Sequence, residues 1–219
     1  MKRGGRNCIS SVENSLPSVY DGKRIEEPKE TDMKRAMALM AALCLLLACV
    51  SAHAETVQER TVLDFDVCTV TVEPGMAISA DSATVFPFAA SGDTTTKIQF
   101  GRLGIEPCNP AYEGIQSAFE GVRDSVINED AQQSYEANGV HLESFELGDP
   151  AEIVLAGANG YYAAGAIVLS LTADSTQQYV AYTGYLMFFD KAFYFVLTGN
   201  DPDLFVRTAN ILEEMIRWK

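Results

Sequence analysis

The sequence predicts an α+β domain with a central, mostly antiparallel sheet, and three patterns lead to this class. Apolar segments at 161–171, 178–189 and 193–198 are separated by short polar turns. This arrangement is typical of an antiparallel meander that is covered on both faces. An internal amphipathic helix is predicted before the meander and a C-terminal helix after it. The combination indicates a mixed fold with one sheet at its centre.

Alternating apolar residues predict the shorter strands. Residues 63–67 and 68–72 alternate in opposite phase, so a bulge or break is expected between two strand pieces. Pro74-Gly75 then marks a turn. Further strands are predicted at 84–89, 95–105, 140–147 and 152–156.

Each predicted helix begins with a capping residue followed by proline. Asn109 and Pro110 are expected to start the internal helix, and Asp201 and Pro202 the C-terminal one. The internal helix has a predicted buried stripe of Ile115, Phe119, Val122 and Val126. The stripe of the C-terminal helix is predicted to be Phe205, Ala209, Leu212, Met215 and Ile216.

Composition limits the class of protein further. The chain has 219 residues, of which 47% are hydrophobic, as expected of a folded domain rather than a disordered chain. Its formal net charge is −14 and its pI is about 4.5. A nucleic-acid backbone is bound by clustered Lys and Arg, so this acidity argues strongly against non-specific binding of nucleic acid.

A secretory signal peptide is predicted at 33–54. Met33-Lys34-Arg35 supplies the basic start, residues 36–50 the apolar segment, and Ala52-His53-Ala54 the small-residue cleavage site before Glu55. The apolar segment is shorter than the about 20 residues that span a bilayer. Residues 1–32 are polar and without periodicity. We expect them to be an untranslated or disordered extension, with translation starting at Met33.

A second processing signal overlaps the first. Leu46-Leu47-Ala48-Cys49 looks like a bacterial lipobox, in which Cys49 would be acylated. Two destinations therefore stay open. The protein is exported in soluble form to the periplasm or the medium, or it is a lipoprotein anchored to a membrane.

Residues 55–219 are expected to form one domain that is more acidic than the whole chain. Eight of the 16 Lys+Arg and 24 of the 30 Asp+Glu follow Ala54, which gives this part a net charge of −16. Such acidity suggests a basic partner or simple mutual repulsion between molecules. Cys68 and Cys108 are its two cysteines. In an exported chain they permit a disulfide, and the alternative is two buried free thiols.

No set of residues in the sequence specifies a reaction, a metal site or a cofactor. His141 is the one histidine after Ala54 and is expected to be an ordinary edge-strand residue. The pairs Asp64/Asp66 and Asp201/Asp203 lack the pattern of a calcium loop. Carboxylates such as Glu143 and Glu152 leave a hydrolase as the least favoured alternative.

Four tyrosines of the meander are candidates for lining a cleft that would hold a small hydrophobic ligand. Aromatic residues at strand spacing also form ordinary cores, so both interpretations stay open. The four residues are Tyr161, Tyr179, Tyr182 and Tyr185.

Two segments carry a resemblance to the Mog1/PsbP-like fold group, which includes PsbP, DcrB and related bacterial exported proteins and lipoproteins. The segment 69–76, Thr-Val-Thr-Val-Glu-Pro-Gly-Met, resembles the strand of this group that ends in Pro-x-x-Trp. The ending 209–216, Ala-Asn-Ile-Leu-Glu-Glu-Met-Ile, is similar to its Ala-x-x-Ile-Leu-x-Ser-Phe ending. The resemblance covers nearly all of residues 60–219.

This resemblance implies an α/β/α sandwich and proteins that act mostly as accessory, chaperone or adaptor modules. It supplies no catalytic residues. We therefore expect an exported, non-enzymatic module that acts on a protein partner, with a small hydrophobic-ligand carrier as the alternative.

Overall fold

The computed structural model describes residues 54–172 and 174–219, which form an α+β domain. The helices are α1 (Tyr112–Ile127), α2 (Glu129–Ala137) and α3 (Pro202–Met215). The strands are β1 (Glu55–Thr56), β2 (Thr61–Asp64), β3 (Cys68–Val72), β4 (Ala77–Ile78), β5 (Thr84–Phe86), β6 (Lys97–Arg102), β7 (Val140–Leu147), β8 (Ala151–Leu155), β9 (Ala158–Leu171), β10 (Asp174–Phe188), β11 (Phe193–Gly199) and β12 (Ile216–Trp218). The predicted extension, the apolar part of the signal peptide and Cys49 lie outside the described residues.

The main sheet contains nine strands, and all of its pairings are antiparallel. Its order is β1-β4-β5-β6-β11-β10-β9-β7, and β8 pairs with the first part of β9 beside β7. The predicted meander is confirmed as β9, β10 and β11. Both β9 and β10 are longer than the sequence pattern indicates, with 14 and 15 residues.

A second sheet has the order β12-β3-β2. The predicted break between 63–67 and 68–72 is confirmed, because β2 and β3 form an antiparallel hairpin in which Leu63 pairs with Val70. Trp218 at the end of β12 pairs with Cys68. The strand that follows α3 therefore completes a sheet that β2 and β3 begin.

The larger core lies between the main sheet, the second sheet and α3, on what we call the α3 side of the main sheet. Phe188, Phe193 and Phe195 supply its aromatic centre, and each is at most 1% exposed. Leu212 of α3 packs in the same cluster. The indole Nε1 of Trp218 donates to the carbonyl of Leu155 at 2.8 Å, which ties the two sheets together.

A second core lies on the opposite face, which we call the α1 side. Successive strand residues point to opposite faces, so Tyr185 and Met187 alternate with Leu186 and Phe188. Phe119 of α1 packs in the cluster with Tyr185 and Met187. A smaller cluster beside it holds residues of α1, α2 and β9, namely Val126, Ala131, Tyr135 and Ile167.

The internal helix begins at Tyr112, so the prediction that Asn109 and Pro110 start it is wrong. The backbone N–H of Cys108 donates to the carbonyl of Phe189 at 2.9 Å. This bond holds the chain against the main sheet, and α1 starts only after Ala111. Helix α2 was not predicted, because Ala131 and Tyr135 are its only buried residues and its pattern is mostly polar.

The prediction for the start of the C-terminal helix is confirmed. The Asp201 side chain accepts from the N–H groups of Asp203 and Leu204 at 2.8 and 3.2 Å. The predicted stripe is wrong at Ala209, which is exposed, while Thr208 is fully buried. Thr208 Oγ1 donates to the Leu204 carbonyl at 2.8 Å, so a polar residue takes the inward position.

The proposed disulfide between Cys68 and Cys108 is not formed. Cys68 is a free thiol with no exposed surface in the α3-side core, whereas Cys108 packs against the cluster on the α1 side. The main sheet separates the two positions. Burial raises the pKa of the Cys68 thiol to about 11, because the charged thiolate is poorly solvated there.

We predict that Cys68 resists alkylation in the native protein and reacts once the chain is unfolded. At pH 8 the native thiol is protonated and inaccessible, and the thiolate is the nucleophile. Iodoacetamide labelling with and without denaturant, without reductant and followed by peptide mass spectrometry, measures this. A Cys68 peptide that stays unlabelled in denaturant until a reductant is added would contradict the free thiol.

Phe195→Ala is expected to lower the free energy of unfolding by about 3–5 kcal/mol. Phe195 has no exposed surface, and its ring lies 5.3 Å from that of Phe193 and 5.9 Å from that of Phe188. Urea unfolding followed by Trp fluorescence measures the loss. Val206→Ala, at a residue 63% exposed on α3, is the control and should change stability little.

Candidate functional site

The structure divides the four tyrosines of the predicted cleft between the two sides of the main sheet. Tyr161 and Tyr185 lie on the α1 side and pack with the same cluster. Tyr182 points to the α3 side, where its ring lies 6.2 Å from that of Phe205. Tyr179 lies six residues from Tyr185 on β10, about 20 Å along the strand, and is 49% exposed. These positions do not form one cleft.

The two carboxylates of the hydrolase alternative lie far apart. Glu143 accepts a hydrogen bond from Ser170 Oγ at 2.6 Å, near the end of β9. Glu152 pairs with Tyr161, near the start of the same strand. Nine residues of β9 separate these points, which corresponds to about 30 Å. Carboxylates that share a glycosidic bond lie about 5–10 Å apart, so this pair cannot act together in that way.

His141 lies where the sequence predicts it, on the edge strand β7. Its Nδ1 is 3.7 Å from Glu136 Oε1, and both side chains are largely exposed. Within residues 54–172 and 174–219 no group of three or more His, Cys, Asp or Glu is arranged to hold a metal ion. A pocket of about 90 Å³ lies between α1 and the β7–β8 connection, and none of the four tyrosines lines it.

The most distinctive surface of the described chain is an apolar strip on the α3 side of β9 and β10, which we call the open face. Val180 pairs with Val168 and Tyr182 with Ala166, and these residues point away from α1. Val180 is 42% exposed, and Ala164 is exposed as well. The open face consists of Ala164, Ala166, Val168, Val180 and Tyr182.

Helix α3 forms one wall of the open face. Its Phe205 packs on Tyr182, and a Cβ at Gly184 would lie only 3.2 Å from the Phe205 ring. Phe205 therefore closes over the main sheet at Gly184. Beyond this point α3 does not cover the strip, because its main contacts are with β11, β3 and β6 rather than with β9. Val180 is exposed there, and Ala166 and Val168 are half-buried.

Strand β7 forms an acidic margin on the other side. Glu146 lies directly opposite Ala166 in the pairing of β7 with β9. Glu143 sits at an irregularity of β7 and reaches the Ser170 hydroxyl. Both glutamates are exposed. The open face is thus an apolar surface with negative charge along one edge.

A buried polar row crosses the other side of the main sheet. Lys97 pairs with Thr198, and Thr198 with Thr183, so their side chains lie next to each other on the α1 side. Their exposed fractions are 3%, 5% and 0%. Within the part of the chain described, Oγ1 of Thr183 and of Thr198 make no hydrogen bond. Unpaired buried hydroxyls are costly, which sets this row apart from the apolar clusters.

Sequence patterns could not identify either feature. The residues of the open face read as part of a strand that is covered on both sides, and only the position of α3 shows that one side is bare. Threonine is common in exposed strands, so the sequence does not indicate that the threonines of the polar row are buried. The glutamates of β7 alternate with apolar residues, which is the ordinary pattern of a strand with one face in solvent.

No family model matches the chain, and no curated protein is significantly similar to it. In the described residues, no helix is both long and apolar enough to cross a membrane.

We predict that Thr183→Val stabilises the protein by about 1 kcal/mol. The substitution keeps the β-branched shape and removes a buried hydroxyl whose oxygen has no partner among the described residues. Thermal unfolding should show a melting temperature about 2–4 °C higher. Thr71→Val on β3, where the side chain is half-buried, is the control and should give a smaller change. A clear loss of stability at position 183 would show that the hydroxyl is satisfied.

Proposed function

We propose that this protein is an exported, non-enzymatic accessory module that binds a basic protein partner through the open face. The observation that carries the proposal is the apolar surface formed by exposed Val180 with half-buried Val168 and Tyr182, beside the glutamates of β7. Apolar surface of this kind, with a polar rim, is characteristic of protein interaction sites.

Charge supports a basic partner. Residues 55–219 carry a net charge of −16, and Glu143 and Glu146 stand at the edge of the proposed surface. Complementary charge speeds encounter and selects the partner, while the apolar centre provides most of the affinity. The same charge repels a second copy of this chain.

We place the domain in the Mog1/PsbP-like group, with an α/β/α sandwich as its arrangement. Helices α1 and α2 pack with one face of the main sheet and α3 with the other, which supports this assignment. The segment that resembles the group, 69–76, forms β3 and the turn after it. Accessory functions are common among proteins of this group, and fold likeness alone does not fix the partner.

Export is proposed from the signal peptide at 33–54, either with cleavage before Glu55 or with acylation of Cys49. Strand β1 begins at Glu55, the residue that would become the N-terminus after cleavage. Its pairing with β4 would keep this end of the chain on the main sheet in either form.

Site-specific photo-crosslinking tests the proposed function. The full-length gene carries a photoreactive amino acid at Val180 and is expressed in the source cell, and the exported fraction is irradiated. We expect one dominant crosslinked protein with a basic sequence. The control position is Val62 on β2, which is 56% exposed but lies on the second sheet, and it should give no such product.

Two further measurements make the result specific. Val180→Asp should reduce co-purification of the same partner at least about tenfold, and Val62→Asp should leave it unchanged. Roughly 0.5 M NaCl should weaken the complex by screening the glutamates. Equal crosslinking at both positions, or an acidic partner insensitive to salt, would contradict the proposal.

A further inference from the structure

We infer that the open face receives an amphipathic α-helix of the partner with Lys or Arg along one flank. The inference rests on the proposed function and specifies the form of the partner's binding segment. Three properties of the described residues lead to it, namely the width of the open face, its small side chains and its charge.

The width fits one helix. The floor spans β10, β9 and β7, and neighbouring strands lie about 4.8 Å apart, so it is about 10 Å wide. This is the diameter of an α-helix with its side chains. On the adjacent β11, α3 already packs in this manner. A second helix beside α3 would continue the same layer at the usual distance of about 8–10 Å between helix axes.

The length of the open face and the size of its side chains also fit one α-helix. From Ala164 to Val168 the strip runs along β9 for about 13 Å, which equals about nine residues of helix. Ala164 and Ala166 are small enough to let a helix backbone come close. Val168 and Val180 offer apolar contacts further along, and Tyr182 with Phe205 forms the wall on the side of α3.

Negative charge lies along one edge of the strip, and two further carboxylates lie at the start of α3. Glu143 and Glu146 lie on β7, and exposed Asp201 and Asp203 lie at the start of α3, shortly after Gly199, which pairs with Tyr182. Glu143 and Glu146 are roughly 10 Å apart along the strand, about two turns of a helix. Basic residues seven positions apart on a docked helix would therefore face both glutamates.

Other occupants fit less well. An added β-strand would need free backbone groups at a strand edge, whereas the open face presents side chains. A second copy of this chain would bring another net charge of −16 to an acidic margin. A basic amphipathic helix supplies both the apolar stripe and the opposite charge.

Peptide binding to the purified exported protein tests the inference. The probe is a fluorescein-labelled peptide of about 14 residues of Leu and Lys, with apolar residues at helical spacing. One control peptide has the same composition with strand-like alternation, and another replaces Lys by Glu. Fluorescence anisotropy gives the affinities, and amide chemical shifts locate the site. We expect the helical Leu/Lys peptide to bind at least about tenfold more tightly than either control and to shift Val168, Val180 and Tyr182.

Variants of the protein separate the contribution of the glutamate charges from that of the apolar contacts. Glu143→Gln with Glu146→Gln should weaken binding at low salt, and the difference should vanish at roughly 0.5 M NaCl. Val180→Asp should abolish binding, and Val62→Asp should not change it. Equal binding of the alternating peptide, or shifts confined to other surfaces, would overturn the inference.

The two proposals can fail separately. If the helical peptide does not bind while Val180 still crosslinks a basic partner in cells, the proposed function stands. The inference that the partner binds through an amphipathic helix is then wrong. If the peptide binds at the open face while Val180 crosslinks nothing in cells, the surface chemistry stands and the proposed function is wrong.

Discussion

The pairing of β9 with β10 is the constraint on which the rest of this structure depends. From Gln178 to Met187 the two strands are paired without interruption, and each sends alternate side chains to opposite faces of the main sheet. Tyr185 and Met187 thereby enter the α1-side core, while Leu186 and Phe188 enter the core under the second sheet. A shift of one residue in this register would exchange the two sets and place apolar residues in solvent.

The same alternation explains why the open face lies where it does. Toward Gly184 the α3 side is filled by Phe205 and by the aromatic residues of the larger core. Farther along the hairpin no apolar cover is present in the described chain, yet Val168 and Val180 keep to the register and point to the same face. The open face is therefore the direct continuation of a buried apolar strip, and glutamates of β7 border it on one side.

Local patterns predicted most strands, the meander and the cap of α3, because alternation and the Asp-Pro pair act within a few residues. The patterns gave wrong predictions where contacts between residues far apart in the chain determine the local structure. Asn109-Pro110 looked like a helix start, but the bond between Cys108 and Phe189 keeps the chain extended there. The pairing of Cys68 with Cys108 was inferred from an even number of cysteines, and such arithmetic cannot show that a sheet lies between them. The four tyrosines were proposed to line one cleft because they are of the same type. Successive residues of a strand point to opposite faces, so the position of each tyrosine on its strand decides which face of the main sheet it lies on.

The position of Trp218 has a consequence for when this protein can fold. Strand β12 closes the second sheet against β3, and the Trp218 indole binds Leu155, so one core needs partners about 150 and about 60 residues apart in the chain. Neither contact can form before Trp218 has been synthesised, whereas the strands of the main sheet, β1 and β4–β11, all precede α3 in the chain. The second sheet and its part of the core are therefore completed after the strands of the main sheet have been made.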